Sequence, residues 1–311
     1  MSIKAVAVPK PRRHTWSGRA TILLFLAPAL LLYLVLVLLP IVQAVYYSLF
    51  NWNGLQPLTN FIGLQNYVDA FNSTLFTGAL SHNLMVVGLS LAIQIPMALG
   101  LAMFLSQRFP GRTLFRVVFF LPYVISEVVT GILFYLLLQP DGAVNNILWS
   151  VGLDGLTRDW WGDLSVVMIT MFFVISWKYF GFHMILLLAG LQNIPKEVME
   201  AALIDGCGKW QAFRHITVPL LGPTLRVSIF LSVIGALQLF DIVYATTRGG
   251  PVHQSDTLAY YMYDFGLKRQ EMGFGSAIAV LMFLICFGFA LIYQRFVLSR
   301  DVDGATTSYV G

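Results

Sequence analysis

Residues 166–190 read VVMITMFFVISWKYFGFHMILLLAG, and the polar break that follows contains Glu200-Ala201-Ala202-Leu203-Ile204-Asp205-Gly206. A predominantly apolar run of this length is what an α-helix needs to cross about 30 Å of hydrocarbon. Another apolar run begins near residue 223, so the polar break joins two such helices. This stretch predicts a helical membrane protein with a long polar loop between two spans.

The composition of the whole chain supports the same class. Of 311 residues, 58% are hydrophobic and 11% are charged, and the mean hydropathy is +0.75, which excludes a soluble globular domain. Strands would show alternation over about 10 residues, which these runs lack. We therefore predict an all-α integral membrane fold. The six predicted spans lie at 21–45, 79–105, 113–138, 165–190, 223–246 and 273–296.

The first span follows a basic stretch, a pattern that also describes a secretory signal peptide. The run from Ile22 to Leu39 is unbroken by charge, and cleavage after Ala27-Pro28-Ala29 would leave too short an apolar core. We therefore predict a retained cytoplasmic tail over 1–20, a six-helix domain over 21–298 and a second cytoplasmic tail over 299–311. The polar loop of the domain covers 191–222.

The distribution of Lys and Arg predicts the orientation, because positively charged loops resist translocation. With both termini inside, the inner segments contain Lys4, Lys10, Arg12, Arg13, Arg19, Arg108, Arg112, Arg116, Lys196, Lys209, Arg214, Arg295 and Arg300. The outer segments contain only Arg158, Arg248, Lys268 and Arg269. This asymmetry predicts that both termini and the polar loop are cytoplasmic. The net charge of +4 then indicates orientation and contact with anionic lipid, and no nucleic-acid partner is expected.

Motifs of soluble enzymes are absent from the sequence. It contains no Gly-x-x-x-x-Gly-Lys-Ser/Thr phosphate loop, no His-Glu-x-x-His and no Gly-x-Ser-x-Gly. Cys207 lies in the polar loop and Cys286 within a span, so neither a disulfide nor a thiolate metal site is expected. We predict no enzyme activity, no catalytic residue and no cofactor or metal in this chain. Any ATP and Mg²⁺ would bind to a partner.

The polar loop contains signals for two short helices. Pro195 suits a first helical turn, Lys196 to Ile204 continues it, and Gly206 or Gly208 ends it. A second piece, Lys209 to Ile216, is expected to stop before Pro219. Small residues at Ala201 and Ala202, beside the carboxylate of Glu200, would let another protein approach closely. An amphipathic hairpin lying on the membrane surface is the alternative.

The loop as a whole resembles a known signature. Glu-Ala-Ala, three residues, Gly, nine residues and Ile-x-(Leu/Val)-Pro is similar to the pattern in membrane subunits of bacterial type I ABC importers, with Val218 where Leu is more usual. In that family the first short helix is the coupling helix, which docks on the ATPase subunit. The resemblance therefore implies an ATPase-coupling role for Glu200, Ala201, Ala202 and Gly206.

Further segments, in order along nearly the whole chain, resemble the carbohydrate branch of that family and the larger maltose-transporter membrane subunit. They are Phe61-Ile62-Gly63-Leu64-Gln65-Asn66-Tyr67, Asp141-Gly142-Ala143-Val144-Asn145, Phe240-Asp241, Arg248-Gly249-Gly250-Pro251 and Gly275-Ser276-Ala277-Ile278-Ala279. The resemblance implies a sugar permease in the bacterial cell membrane. Its expected partners are a second homologous permease, two ATPase subunits and an extracytoplasmic sugar-binding protein.

Polar and aromatic residues inside spans indicate a substrate path, because they are costly in lipid. Alignment with the maltose system implies sugar-contacting positions at Ser176, Tyr179, Phe180, His183, Gly235, Ala236 and Leu239. In the fifth span, Gln238, Asp241 and Tyr244 recur at three-residue steps, which would place them along one side of a helix. Each of these side chains could instead pack structurally, and Asp241 could pair with a neighbouring helix.

Glu127 in the third span and Lys178 in the fourth are buried charges of opposite sign. Glu127 is a candidate for the substrate path, and a salt bridge between the two residues is an equal alternative. No Arg lies in the middle of spans three to six, which favours a neutral sugar over glycerol phosphate, since phosphate is best held by Arg. An ion-coupled sugar carrier, with Glu127 and Asp241 titrating, is the second function considered, and an intramembrane enzyme is the third.

Overall fold

A computed structural model describes residues 16–298, and this part of the chain is helical, with a single isolated bridge between Phe50 and Phe61. The α-helices are α1 (Trp16–Tyr33), α2 (Leu39–Tyr47), α3 (Gln65–Asn72), α4 (Thr74–Leu89), α5 (Ile95–Ser106), α6 (Arg112–Val124), α7 (Glu127–Leu137), α8 (Ala143–Ser150), α9 (Val167–Gln192), α10 (Lys196–Ile204), α11 (Lys209–Ala212), α12 (Val218–Leu220), α13 (Gly222–Leu237), α14 (Asp241–Ala245), α15 (Leu258–Tyr263) and α16 (Met272–Tyr293). The prediction of an all-α fold is confirmed for the described residues.

Four helical segments are long and apolar enough to cross a membrane. They are Thr21–Tyr47, Thr74–Ser106, Val167–Gln192 and Met272–Val297, and they coincide with the first, second, fourth and sixth predicted spans. Short π-helical turns join α1 to α2 and α4 to α5 without interrupting the segments. The predicted tail over 1–20 ends inside α1, whereas residues 1–15 and the second predicted tail, 299–311, lie outside the described residues.

The third predicted span, 113–138, is not one continuous helix. Helices α6 and α7 meet at an angle of 97° across Ile125 and Ser126. A break inside a membrane leaves carbonyl groups without helical partners, so they need donors from elsewhere in the protein. Lys178 on α9 supplies one: its Nζ donates to the carbonyl oxygen of Ile125 and, at 3.4 Å, to that of Tyr123.

The fifth predicted span, 223–246, is also interrupted. The segments Lys209–Leu220 and Gly222–Leu237 meet at 68°, and α13 ends at Leu237, before α14 begins at Asp241. Asn83 Nδ2 donates to the Ala236 carbonyl oxygen at 2.6 Å, and Thr257 Oγ1 donates to that of Leu239 at 2.6 Å. These side chains take the place of helical N–H donors, which lets the chain leave the helix here.

Helix α9 is central to the bundle and packs against α5, α6 and α13. Its closest approach is at Gly181, where an added Cβ would overlap the backbone of Phe119 on α6. Buried apolar side chains fall into three clusters, centred on Val174 and Ile242, on Tyr261 and Ile278, and on Leu105 and Leu187. The first and third clusters both use side chains of α9.

The first helical segment contrasts with the rest of the bundle. Its residues 21–40 are all exposed, and only α2 packs against another span, α16. A helix that is apolar all round is stable in lipid without protein contacts, because the hydrocarbon satisfies its side chains.

Candidate functional site

A cavity of about 220 Å³ lies beside the middle of α9, and we call it the central cavity. Its walls come from the turn between α4 and α5, from α6 and α9, and from α13 and the residues that follow. It is lined by Val86, Ser90, Gln94, Tyr123, Ile175, Tyr179, Phe182, His183, Leu231, Ser232, Gly235, Ala236 and Leu239. Residues far apart in sequence therefore meet at one place inside the bundle.

Five of the predicted substrate-path residues line this cavity: Tyr179, His183, Gly235, Ala236 and Leu239. Ser176 and Phe180 lie on α9 but not among the lining residues. Phe180 instead packs against the ring of Phe119, with ring centroids 6.0 Å apart, in the third buried cluster. The hydroxyl of Ser176 is buried without a hydrogen-bond partner among the described residues.

The other predicted path residues lie around the break after α13. Gln238 and Tyr244 are exposed and Asp241 is half-buried. Because the helix ends at Leu237, the prediction that these three follow one side of a helix is wrong. Tyr244 stacks on Phe240 with ring centroids 5.5 Å apart, and neither residue lines the central cavity.

Glu127 stands beside the central cavity and accepts a hydrogen bond from the hydroxyl of Tyr179. The salt bridge weighed for Glu127 and Lys178 is not formed, since the ammonium group of Lys178 binds two carbonyl oxygens at the break between α6 and α7. Glu127 thus contributes to the cavity indirectly, by fixing the position of the Tyr179 ring.

The sequence reasoning missed several lining residues on other helices. Ser90 and Gln94 belong to a single π-helical turn, Ser90–Gln94, in the second span, and Ser232 lies on α13. Gln94 is buried, and its Nε2 has no acceptor among the described residues. Polar residues inside a span were the signal that pointed to α9, and the same signal in the second span would have identified Ser90 and Gln94.

The lining of the central cavity is mostly apolar and aromatic, with a few hydroxyl, amide and imidazole groups and no Asp, Glu, Lys or Arg side chain. Tyr123, Tyr179 and Phe182 form an aromatic wall, in which Tyr123 stacks on Phe182 with ring centroids 4.9 Å apart. His183 Nδ1 is hydrogen-bonded to Ser228 Oγ at 2.8 Å, which fixes the orientation of the imidazole. Aromatic faces next to hydroxyl and amide groups suit a ligand with both apolar faces and hydroxyl groups.

The polar loop forms a second candidate site at the carboxyl end of α9. Helix α10 ends at Ile204 and is followed by a left-handed Gly206, with φ of +78°. Helix α11 begins at Lys209, so the predicted pair of short helices is present. The second piece continues beyond Ile216 through a π-helical turn and α12 to Leu220. Pro219 is tolerated because it stands in the first turn of α12.

The four predicted coupling residues do not share one face. Glu200, Ala201 and Gly206 are exposed, whereas Ala202 is buried against the chain itself. Consecutive helical residues point about 100° apart, so Ala201 and Ala202 cannot form a single flat surface for a partner. The expectation of a small-residue face made of both alanines is therefore wrong.

Large apolar side chains of the loop are exposed instead. Ile204 is 86% exposed, Trp210 69% and Leu203 66%. Trp210 contacts Phe213 within the loop, with ring centroids 5.3 Å apart. The loop thus presents an apolar surface, which we call the loop patch, beside the carboxylate of Glu200. Contiguous exposed apolar groups of this kind mark interaction sites.

Comparison with known proteins identifies the family to which the chain belongs. Residues 94–301 match the family described as binding-protein-dependent transport system inner membrane component. The chain is 38% identical to the probable ABC transporter permease protein YurN of Bacillus subtilis over 276 residues, 88% of this chain and 94% of the relative. It is 35% identical over 283 residues to the lactose transport system permease protein LacF of Rhizobium radiobacter, 89% of this chain and 93% of that one.

A solved structure agrees in fold. The crystal structure of a bacterial ABC transporter involved in the import of the acidic polysaccharide alginate superposes with a TM-score of 0.77 at 25% identity, covering 90% of this chain and 97% of the matched chain. The family match includes the central cavity residues from Gln94 onward and the whole polar loop. The chain belongs to the binding-protein-dependent transport system inner membrane components, and is therefore an ABC transporter permease of the bacterial inner membrane and not an enzyme.

Proposed function

We propose that this permease forms, together with a second homologous permease, the path by which a neutral mono- or oligosaccharide enters the cytoplasm. The observation that carries the proposal is the arrangement along α9. An uncharged, aromatic cavity lies at the middle of this helix, and the loop patch lies beyond its carboxyl end. One rigid helix thus connects the cargo site to the surface on which a motor protein can act.

The lining of the central cavity supports a neutral sugar. Its side chains include no Asp, Glu, Lys or Arg. A phosphorylated substrate such as glycerol phosphate would call for Arg, and an acidic sugar such as alginate for a cation. The lactose permease of Rhizobium radiobacter supports a saccharide cargo by analogy. Family membership also favours ATP-driven import over an ion-coupled carrier.

Coupling to ATP is proposed to occur at the polar loop, on the cytoplasmic side predicted by the charge distribution. One of two ATPase subunits, which bind ATP and Mg²⁺, would dock on the loop patch and pair a basic residue with Glu200. At the opposite end, an extracytoplasmic sugar-binding protein would deliver the cargo, as the description of the family implies.

The mechanism we infer is alternating access. ATP binding closes the ATPase pair, the loop between α9 and α13 moves with it, and the bundle opens toward the binding protein. A ligand shifts such an equilibrium only by its difference in affinity for the two states, and about 5.5 kcal/mol changes a population from 1:99 to 99:1. The loop patch must therefore contact the ATPases differently in the two states.

The first test is co-purification followed by uptake. The tagged chain is expected to bring down an ATPase and a second permease, and cells that express it are expected to import a radiolabelled lactose, maltotriose or diacetylchitobiose probe. Glu200→Lys combined with Gly206→Asp should abolish uptake and substrate-stimulated ATP hydrolysis. Asp154→Lys, an exposed charge reversal at the other end of the bundle, is the control. Uptake that survives the double change would contradict coupling at this loop.

The second test addresses the cargo site. His183→Leu and Gln94→Leu each remove a polar group from the central cavity and should reduce uptake about tenfold or more, since buried polar partners of a ligand are strongly selective. ATPase co-purification should stay unchanged. If both variants transport like the wild type, the central cavity is not on the sugar path.

A further inference from the structure

A second and larger cavity, of about 770 Å³, lies at the amino-terminal end of α9, and we call it the outer cavity. Helix α9 has 26 residues and is about 39 Å long at 1.5 Å per residue, so this cavity and the polar loop lie at opposite ends of the bundle. It is lined by Ile132, Tyr135, Gln139, Pro140, Asp159, Trp161, Gly162, Ala245, Thr246, Thr247, Arg248, Gly250 and Pro251. None of these residues lines the central cavity.

Three separate segments build the walls of the outer cavity. They are the end of α7 with the turn after it, the loop that precedes α9, and the loop that follows α14. Helices α7 and α14 pack closely at Gly131, where an added Cβ would lie 2.5 Å from the Ala245 Cβ. The two walls that these helices provide are therefore held at a fixed separation.

Hydrogen bonds fix the loop after α14. Ser255 Oγ donates to the Gly250 carbonyl oxygen at 2.5 Å and lies within hydrogen-bond distance of Thr247 Oγ1, at 2.7 Å. The Arg248 N–H donates to the Val243 carbonyl oxygen at 2.8 Å. On the opposite wall, Asp159 Oδ1 accepts the Gly162 N–H at 2.9 Å. The cavity is thus formed before any ligand arrives, which lowers the cost of binding.

Trp161 supplies a largely buried aromatic ring to the wall of the outer cavity. The residue is only 8% exposed, and its indole Nε1 is buried without an acceptor among the described residues. A buried donor without a partner is costly, and Trp N–H groups ordinarily find one. The neighbouring Trp160 follows that rule, because its Nε1 donates to Asn145 Oδ1 at 3.0 Å. Trp161 lines the cavity and Trp160 does not.

The rest of the lining suits a saccharide. Tyr135 and Trp161 offer aromatic surfaces, while Gln139, Thr247 and the charged pair Asp159 and Arg248 offer donors and acceptors for hydroxyl groups. One carboxylate and one guanidinium balance in charge, as a neutral ligand requires. Volumes of about 300–1,000 Å³ are typical of small-molecule sites, and the cavity falls within that range.

We propose that the outer cavity is a second saccharide-binding site, which receives the sugar before it reaches the central cavity. The inference rests on the proposed function. Helix α7 links the two sites, because Glu127 at its start holds Tyr179 of the central cavity and Tyr135 lines the outer one. Eight residues of helix separate these positions by about 12 Å. The alternative occupant is a loop of the binding protein, and the experiment distinguishes the two.

The experiment uses the complete importer in nanodiscs, with its binding protein loaded with whichever of lactose, maltotriose or diacetylchitobiose the wild type imports. Tyr135→Phe keeps an aromatic ring but removes a hydroxyl group from the lining, and Gln139→Ala removes an amide from the turn that follows α7. Each is expected to lower import at subsaturating loaded binding protein about fivefold, the effect of losing one net hydrogen bond. Tyr33→Phe, at an exposed tyrosine of α1 that does not line the cavity, is the matched control and should import normally.

A second measurement is the affinity of the importer for the unloaded binding protein, which should be unchanged in both variants. Import at the wild-type rate in both variants would overturn the outer saccharide site and leave the proposed function standing. Equal weakening of loaded and unloaded binding protein would also overturn it, and would assign the cavity to protein docking. A wild-type importer that moves no saccharide would overturn both proposals.

Discussion

The middle of α9 and the loop beyond its carboxyl end differ in how their contacts are completed. Around its middle, this chain supplies the partners itself: Lys178 binds the carbonyl groups of a broken helix, and Gly181 lets α6 approach. Beyond its carboxyl end, the apolar side chains of the loop patch are exposed to solvent. The middle is therefore built to hold a shape within one chain, and the loop is built to be covered by another. Changes at the middle of α9 should therefore lower the stability of the fold, whereas changes in the loop patch should weaken assembly with the ATPase and leave stability nearly unchanged.

Among changes at the middle of α9, the largest effect on stability is expected for Gly181→Ala. The added methyl would overlap the backbone of Phe119, which cannot move without shifting α6, so we expect a loss of about 2–4 kcal/mol. Thermal unfolding of the detergent-solubilised protein measures it. The matched control is Gly288→Ala on α16, where nothing lies within 4 Å of the added Cβ. There we expect a gain of about 0.5–1 kcal/mol from helix propensity. Equal behaviour of the two variants would show that the contact is not rigid.

Lys178→Met should have the next largest effect. It keeps the length of the side chain but leaves the carbonyl groups of Tyr123 and Ile125 without this donor, at a cost of about 1–3 kcal/mol. The same thermal assay applies, with the exposed Lys196→Met on α10 as control. Should Lys178→Met prove as stable as the wild type, the ammonium group is not what stabilises the bend.

A smaller, pH-dependent effect is expected for Asp264, in the connection between α15 and α16. Burial alone would raise the pKa of this carboxyl, but its bonds to Lys268 at 3.0 Å and Arg269 at 2.7 Å outweigh burial and lower it. A lowered pKa contributes stability above the usual Asp value of about 4, and this is lost as pH falls through the folded value.

Asp264→Asn should therefore destabilise the protein by about 1 kcal/mol at pH 7, since both cations are largely solvated. The difference from the wild type should shrink as the pH falls below about 4. Melting temperatures across this range provide the measurement, and Asp69→Asn at an exposed position is the control. A difference that is constant with pH would exclude the ion pairs as its cause.

The smallest effect on stability is expected in the loop patch. Ile204→Ser and Trp210→Ser alter exposed side chains, so the free energy of unfolding should change by less than about 0.5 kcal/mol. ATPase co-purification should nevertheless be lost. Ile278→Ser, at a fully buried isoleucine of α16, should cost about 2–5 kcal/mol and serves as the contrast. Loop variants that unfold the protein, or that retain the ATPase, would remove the distinction between the two regions.

The sequence predicted what depends on local composition. Four spans follow from apolar length alone, and the two short helices of the loop follow from Pro195 and Gly206. The breaks at Ile125 and after Leu237 could not be predicted, because their causes lie elsewhere in the chain. Lys178 is 53 residues from Ile125, and Asn83 is 153 from Ala236.

The candidate sites show the same division. Tyr179 and His183 were predicted because polar groups are unusual inside an apolar span such as α9. Gly235, Ala236 and Leu239 were predicted only from the alignment with the family. Gln94 was not predicted, although it is a buried polar residue inside the second predicted span. Ala202 is buried and Ile204 is exposed because of the way α10 packs on the bundle. The hydrophobic pattern of a nine-residue helix is too short to predict which of its faces is buried.

The buried ammonium of Lys178 also bears on the order in which the chain assembles in the membrane. A cation at the centre of a span costs about 2.5–3.5 kcal/mol on insertion scales when it finds no partner. Its acceptors belong to the preceding span, which is synthesised first. We therefore expect α9 to insert into the bilayer together with α6 and α7. Shortening or removing the third span should make insertion of the fourth span inefficient, even though the sequence of the fourth span is intact.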